Sequence, residues 1–188
     1  MQTTDMVFMA LLALTLFWAV GAYNRLVRMK NVIADGFSGI DSQFKDRHDL
    51  LLKLVEAASS YLQHDPLTLP ALLQARSTVS TAHDGLRAQP GSAALTYKLL
   101  VAEGQLQAQL DVLWRTAGDT LAMQADPKFR ELAEQLNTAQ RKLGFSCQAF
   151  NASVVDFNAA RAQFPTVLIA RLFGFSRAER LQLGVDAG

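Results

Sequence analysis

Residues 6–22 read MVFMALLALTLFWAVGA and carry no charge. At 1.5 Å per residue this run of about 17 residues rises roughly 25 Å, slightly less than a bilayer's hydrocarbon core. Tyr23 and the aliphatic stems of Arg25 and Arg28 extend the span by interfacial anchoring and snorkelling, and Trp18 is amphipathic enough to sit near the lower interface. A cleaved signal peptide requires a positively charged start, which Met1–Asp5 lacks, although Val20-Gly21-Ala22 has the small residues of a cleavage site. A helix apolar on every side is a buried core helix only in a large protein, and this chain has 188 residues. The run therefore reads as a transmembrane helix. Asp5 lies on one side of it and Arg25, Arg28 and Lys30 on the other. The positive-inside rule places the N-terminus outside and the remaining chain in the cytoplasm.

The rest of the chain has helical period. Ile33, Phe37, Ile40, Phe44, Leu51, Leu54 and Tyr61 follow alternating three- and four-residue steps, with Arg47 and Ala58 in the intervening slots. Despite Gly21, Gly36 and Gly39, one helix is expected to run from the membrane to about His64. Asp65-Pro66 ends it and starts the next, with Thr68 as a rival cap because Pro70 fits only a first turn. That second helix reaches about Arg87, and Gln89-Pro90-Gly91-Ser92 reads as a turn ending in a cap. A third helix is expected from Ser92 to about Gln124, with Leu95, Leu99, Ala102, Leu106, Leu110, Leu113, Ala117 and Leu121 on its apolar face. A fourth starts at Asp126-Pro127, carries Phe129, Leu132, Leu136, Leu143, Phe150, Val154, Phe157 and Phe164, and stops at Phe164-Pro165. Short connections between long helices imply antiparallel neighbours. The expected fold is all-α: a transmembrane anchor over residues 1–23, an up-down four-helix bundle over 24–164, and an apolar, membrane-proximal tail over 165–188.

Several stretches resemble the LemA family: Tyr23-Asn-Arg-Leu-Val-Arg28, Ile40-Asp-Ser-Gln-Phe-Lys-Asp-Arg-His-Asp-Leu50, Leu54-Val55, Ala75-Arg76, Asn151, Asp156-Phe157-Asn158, Phe164-Pro165 and Leu168-Ile-Ala-Arg-Leu-Phe-Gly-Phe175. The likeness covers Tyr23 to about Glu179. It implies an N-terminal anchor and a helical bundle in a bacterial inner-membrane protein, with magnetosome-associated proteins among the relatives and no agreed biochemical activity. The sequence departs from the family pattern at Cys147, Ala149 and Arg171, where relatives usually have an arginine, an aromatic and a small residue.

Net charge is +1, from 18 Lys and Arg against 17 Asp and Glu, so no global field points to nucleic acid. Cys147 is the single cysteine and excludes an intramolecular disulfide or a multi-cysteine metal site. It lies one position from an apolar stripe, with no base or oxyanion hole in view, and reads as a small buried hydrophobe. His48, His64 and His83 are not at metal-ligand spacing and are expected at the surface or the bundle edge. Arg47 interrupts the stripe of the first helix, where a charge is costly unless paired. It is expected to bond a carboxylate on a neighbouring helix or to snorkel to the bundle edge, the alternative being an anion or a partner's carboxylate. Asn151 and Asn158, two turns apart, are expected to hydrogen-bond across the bundle and join Arg47 in a structural polar core.

The tail places Val167, Leu168, Ile169, Leu172, Phe173 and Phe175 beside Arg171, Arg177 and Arg180 near the bilayer. Three outcomes are open: an interfacial anchor on an anionic leaflet, a fold-back over the bundle end, or contact with another subunit. No catalytic, cofactor or metal site, small-molecule substrate or nucleic acid is expected. The reading is a non-enzymatic, self-associating scaffold at the cytoplasmic membrane face, whose partners are lipid and copies of itself or another membrane protein. The alternative is a lipid- or membrane-shape-interacting protein acting through the tail.

Overall fold

A computed structural model of the chain describes residues 3–63 and 65–183. Among the described residues every regular element is helical: α1 (Thr3–Ser59), α2 (Thr68–Ala88), α3 (Ala93–Asp119), α4 (Leu121–Ala125), α5 (Pro127–Ala162) and α6 (Thr166–Leu172). The expected end of the first helix at His64 lies outside the described residues, and α1 itself stops at Ser59. Residues 1–2 of the expected anchor and 184–188 of the expected tail are outside them too.

α1 runs unbroken through Gly21, Gly36 and Gly39. Its first part is the one stretch among the described helices long and apolar enough to cross a membrane, and only 6% of that stretch is buried. A core helix would bury it. From Leu26 onward the helix buries a single face: Ile33, Phe37, Ile40, Phe44, Arg47, Leu51, Leu54 and Ala58 are all inside. Alternating three- and four-residue steps keep those positions on one side of a 3.6-residue helix.

α1 packs chiefly along α5, and α2 along α3. The pairings are antiparallel: Phe37 meets Phe150 and Tyr61 meets Asp126, while Gly85 of α2 faces Leu95 of α3. Residues of all four long helices share one apolar core. Asp65 accepts from the backbone N–H groups of Leu67 and Thr68, each at 3.1 Å, so it caps α2 from outside the helix while Pro70 sits in the first turn. Asp126 caps α5 by accepting from the Lys128 N–H at 2.8 Å, with Pro127 as the first helical residue.

Two further boundaries differ from the expectation. The third helix breaks at Thr120, whose backbone is extended, and resumes as the short α4. Gly118, Asp119 and Thr120 are all poor interior helix formers. The break turns Leu121 out to solvent, 82% exposed, and puts Met123 into the core instead. α5 ends at Ala162 rather than Phe164, because proline disfavours a helical residue before it. Phe164 consequently leaves the packing face and is 82% exposed. Beyond α6, residues 173–183 form no helix and run back along α5, with Leu181 and Leu183 buried in the core.

Candidate functional site

Arg47 is 3% exposed on the inner face of α1. Its Nη1 donates to Glu103 Oε2 of α3 and to Gln140 Oε1 of α5, each at 2.9 Å, and its Nη2 donates to the other Glu103 oxygen. The guanidinium also lies 4.6 Å above the Phe44 ring. A buried guanidinium is tolerable only when paired and hydrogen-bonded, and this one ties three helices at one level. Its Nε alone has no hydrogen-bond partner among the described residues.

On the α2 side of Arg47, two histidines expected at the surface or the bundle edge are buried instead. His48 is 7% and His83 5% exposed. Aromatic packing draws them inward: the His83 ring stacks on Phe44 at 4.1 Å and on Phe37 at 5.6 Å, and His48 lies 5.5 Å from Phe44. Burial, helped by the Arg47 and Arg76 charges, lowers the His48 pKa to about 4. Burial also lowers that of His83, against the opposing pull of Asp41, whose Oδ1 is 3.8 Å from Nε2. Asp41 is held below the usual carboxylate range, first by the hydrogen bond from Lys45 at 2.8 Å. Cys147 is buried, and desolvation pushes its thiol up to about 11, which disfavours the nucleophilic thiolate.

Asn151 and Asn158 do not reach across to another helix; they hold the chain's own C-terminal segment. The Asn158 amide donates to the Ala178 carbonyl at 2.8 Å and accepts from the Ala178 N–H at 3.0 Å. Asn151 does the same to Leu181, at 2.8 and 2.7 Å. Each side chain thus satisfies both backbone groups of one strap residue. The spacings fit, because seven residues of α5 span about 10.5 Å and three residues of extended chain about 9–10 Å. Glu179 N–H further bonds the Gly91 carbonyl at 2.8 Å. Gly91 has φ +83°, a conformation that strains any other residue, and a Cβ there would press on that of Ala178 at 3.1 Å.

The tail residues singled out from sequence divide into two groups. Ile169 is buried, Val167 is half-buried, and Phe175 packs against the core and Tyr23, its ring 5.7 Å away. Leu168, Arg171, Leu172, Phe173 and Arg177 are exposed. Phe173 lies 4.9 Å from the Tyr23 ring, at the lower edge of the apolar stretch. Sequence reasoning missed Phe164, which joins this exposed edge. A fold-back of the tail was one of the three outcomes open from sequence, but the extended course of residues 173–183 along α5 is signalled only by the alternation Leu181-Gln182-Leu183.

No group of three or more metal-ligating side chains stands together among the described residues. Comparison with curated proteins returns no match. The LemA family profile matches residues 36–187, a span that begins inside α1 and takes in Arg47, both clamping asparagines, α6 and the strap. That span covers most of the chain, and the protein belongs to the LemA family.

Proposed function

We propose that the protein is a non-enzymatic, self-associating scaffold in which α1 crosses the cytoplasmic membrane with its N-terminus outside. In this reading the cytoplasmic part of α1, with α2, α3 and α5, forms an up-down four-helix bundle that gathers proteins at the membrane face. What carries it is an unfilled apolar groove between α2 and α3, about 670 Å³, whose walls include Ser77, Thr81, Gly85, Leu95, Tyr97 and Val101. Tyr97 is 69% exposed beside the small residues of α2, a knob next to a hollow. Two copies anchored in one bilayer present this groove at the same height, so the face can meet itself across a twofold axis. Light scattering on full-length protein in a mild detergent tests the reading. A defined oligomer that falls apart in Tyr97→Asp/Val101→Asp supports it; a wild-type monomer that co-purifies with no other chain removes it.

A second reading, contact with lipid through the tail, is favoured by the exposed edge of Phe164, Leu168, Leu172 and Phe173 at the level of Tyr23. Arg25, Arg28 and Arg171 flank it, the mixture that suits an interfacial helix on an anionic leaflet. A nitroxide placed by Leu172→Cys in a Cys147→Ala background and reconstituted in bilayers reports its depth. Preferential accessibility to oxygen supports burial in the interface, whereas free access to a water-soluble relaxer counts against it.

A further inference from the structure

The strap closes a cleft that neither reading above uses. It lies where α1, the α2–α3 turn, α5 and the strap converge, and holds about 560 Å³. Lys30 enters from α1 and Arg177 from the strap; Phe157 and Phe175 form an apolar wall; Gly91 and Ser92 supply the turn. No carboxylate lines it, and neither cation makes an ion pair among the described residues. The cleft is rigidly built. Asn158 fixes Ala178, the residue after Arg177, and the bond from Glu179 N–H to the Gly91 carbonyl pins strap to turn. Lys30 and Arg177 thus line one space in spite of like charge.

Depth identifies the ligand. Lys30 is seven residues below Tyr23, about 10 Å along α1, which puts its backbone about 3–5 Å outside a headgroup layer roughly 5–7 Å thick. Helical side chains lean toward the helix N-terminus, which here is the membrane side, so the ammonium reaches back into that layer. We propose that this cleft binds the phosphate of an anionic phospholipid headgroup between Lys30 and Arg177, with Phe157 and Phe175 against the apolar part. The proposal rests on the reading above that α1 crosses the membrane, which sets its depth, but concerns a discrete site rather than the exposed α6 edge.

The test uses full-length protein in a neutral detergent, with bound lipid counted by native mass spectrometry. Phosphatidic acid, phosphatidylglycerol and phosphatidylcholine are supplied in turn, and inorganic phosphate is offered as a competitor. The expected result is retention of one phosphatidic acid or phosphatidylglycerol, no retention of phosphatidylcholine, and about tenfold weaker retention in Lys30→Gln/Arg177→Gln. Lys30→Arg/Arg177→Lys should restore it, and unchanged helicity by circular dichroism confirms that the variants fold. Equal retention by the glutamine variant overturns the site. Displacement by millimolar inorganic phosphate overturns the lipid assignment in favour of a soluble phosphate. Leu168→Ser/Leu172→Ser separates the two ideas: it should abolish interfacial contact of α6 yet leave the retained lipid in place, and loss of that lipid would mean there is no separate cleft site.

Discussion

Arg47 and Glu103 show why a charge can stand in an apolar stripe. Removing one partner strands the other away from water, whereas removing both leaves a core that can be filled with hydrocarbon. Arg47→Ala should therefore cost about 3–5 kcal/mol by chemical denaturation, and Arg47→Met/Glu103→Leu should recover most of that loss. An Arg47→Ala variant as stable as wild type would mean that the pair bonds seen here contribute nothing. The neighbouring histidine gives a pH dependence of definite sign. His48 has a folded pKa of about 4, below its ordinary 6.5, so between those values the unfolded chain holds more protons than the folded one. Stability is full above about pH 6.5 and falls as the pH drops toward 4, by about 3 kcal/mol from this group. Burial of His83 acts in the same direction. Thermal melts from pH 7 to 4.5 should show the decline, and His48→Gln should flatten it. The pairing of Arg47 was legible in the sequence, because a lone cation at a core register position demands a partner. The burial of His48 and His83 was not. His83 falls in step with Leu72, Ala75, Val79 and Leu86 on the inner face of α2, but a polar ring there gives no sign that the Phe37 and Phe44 rings of α1 cover it; His48 stands one position off the α1 stripe and packs on Phe44, one turn before it on the same helix.

At the scale of elements, the strap depends on two side chains rather than on a ladder of its own. Replacing Asn151 or Asn158 by Leu leaves one N–H and one C=O of the strap without their partners, which should cost about 1–3 kcal/mol at each position. The loss should be local. Limited proteolysis ought to cut the double variant within residues 173–183 while α1 to α5 remain protected, and an uncut double variant would show that Leu181 and Leu183 hold the strap unaided. The helices themselves were readable, since their period, caps and prolines agree from α1 to α5. The failures occurred where local chemistry outweighed the period: at Thr120, where three weak helix formers meet, and at Phe164, overruled by the following proline. That the tail could fold back was legible, but its extended course was not, because a segment satisfied by side-chain amides leaves almost no periodic signal. The two asparagines were noticed, but as a pair bridging helices.

At the scale of the whole molecule, α1 is one continuous rod through the membrane-compatible stretch and the core. From Tyr23 to Ser59 it extends about 54 Å. Membrane helices adjust to bilayer thickness by tilting, on average about 20°. With no break at the membrane boundary, a tilt of that size would carry the far end of the helix about 18 Å sideways. Everything packed on α1 would move with it, including the groove of α2 and α3. A thin and a thick bilayer would thus set two neighbouring molecules leaning to different degrees, turning the local thickness of the lipid into the distance between their outer ends.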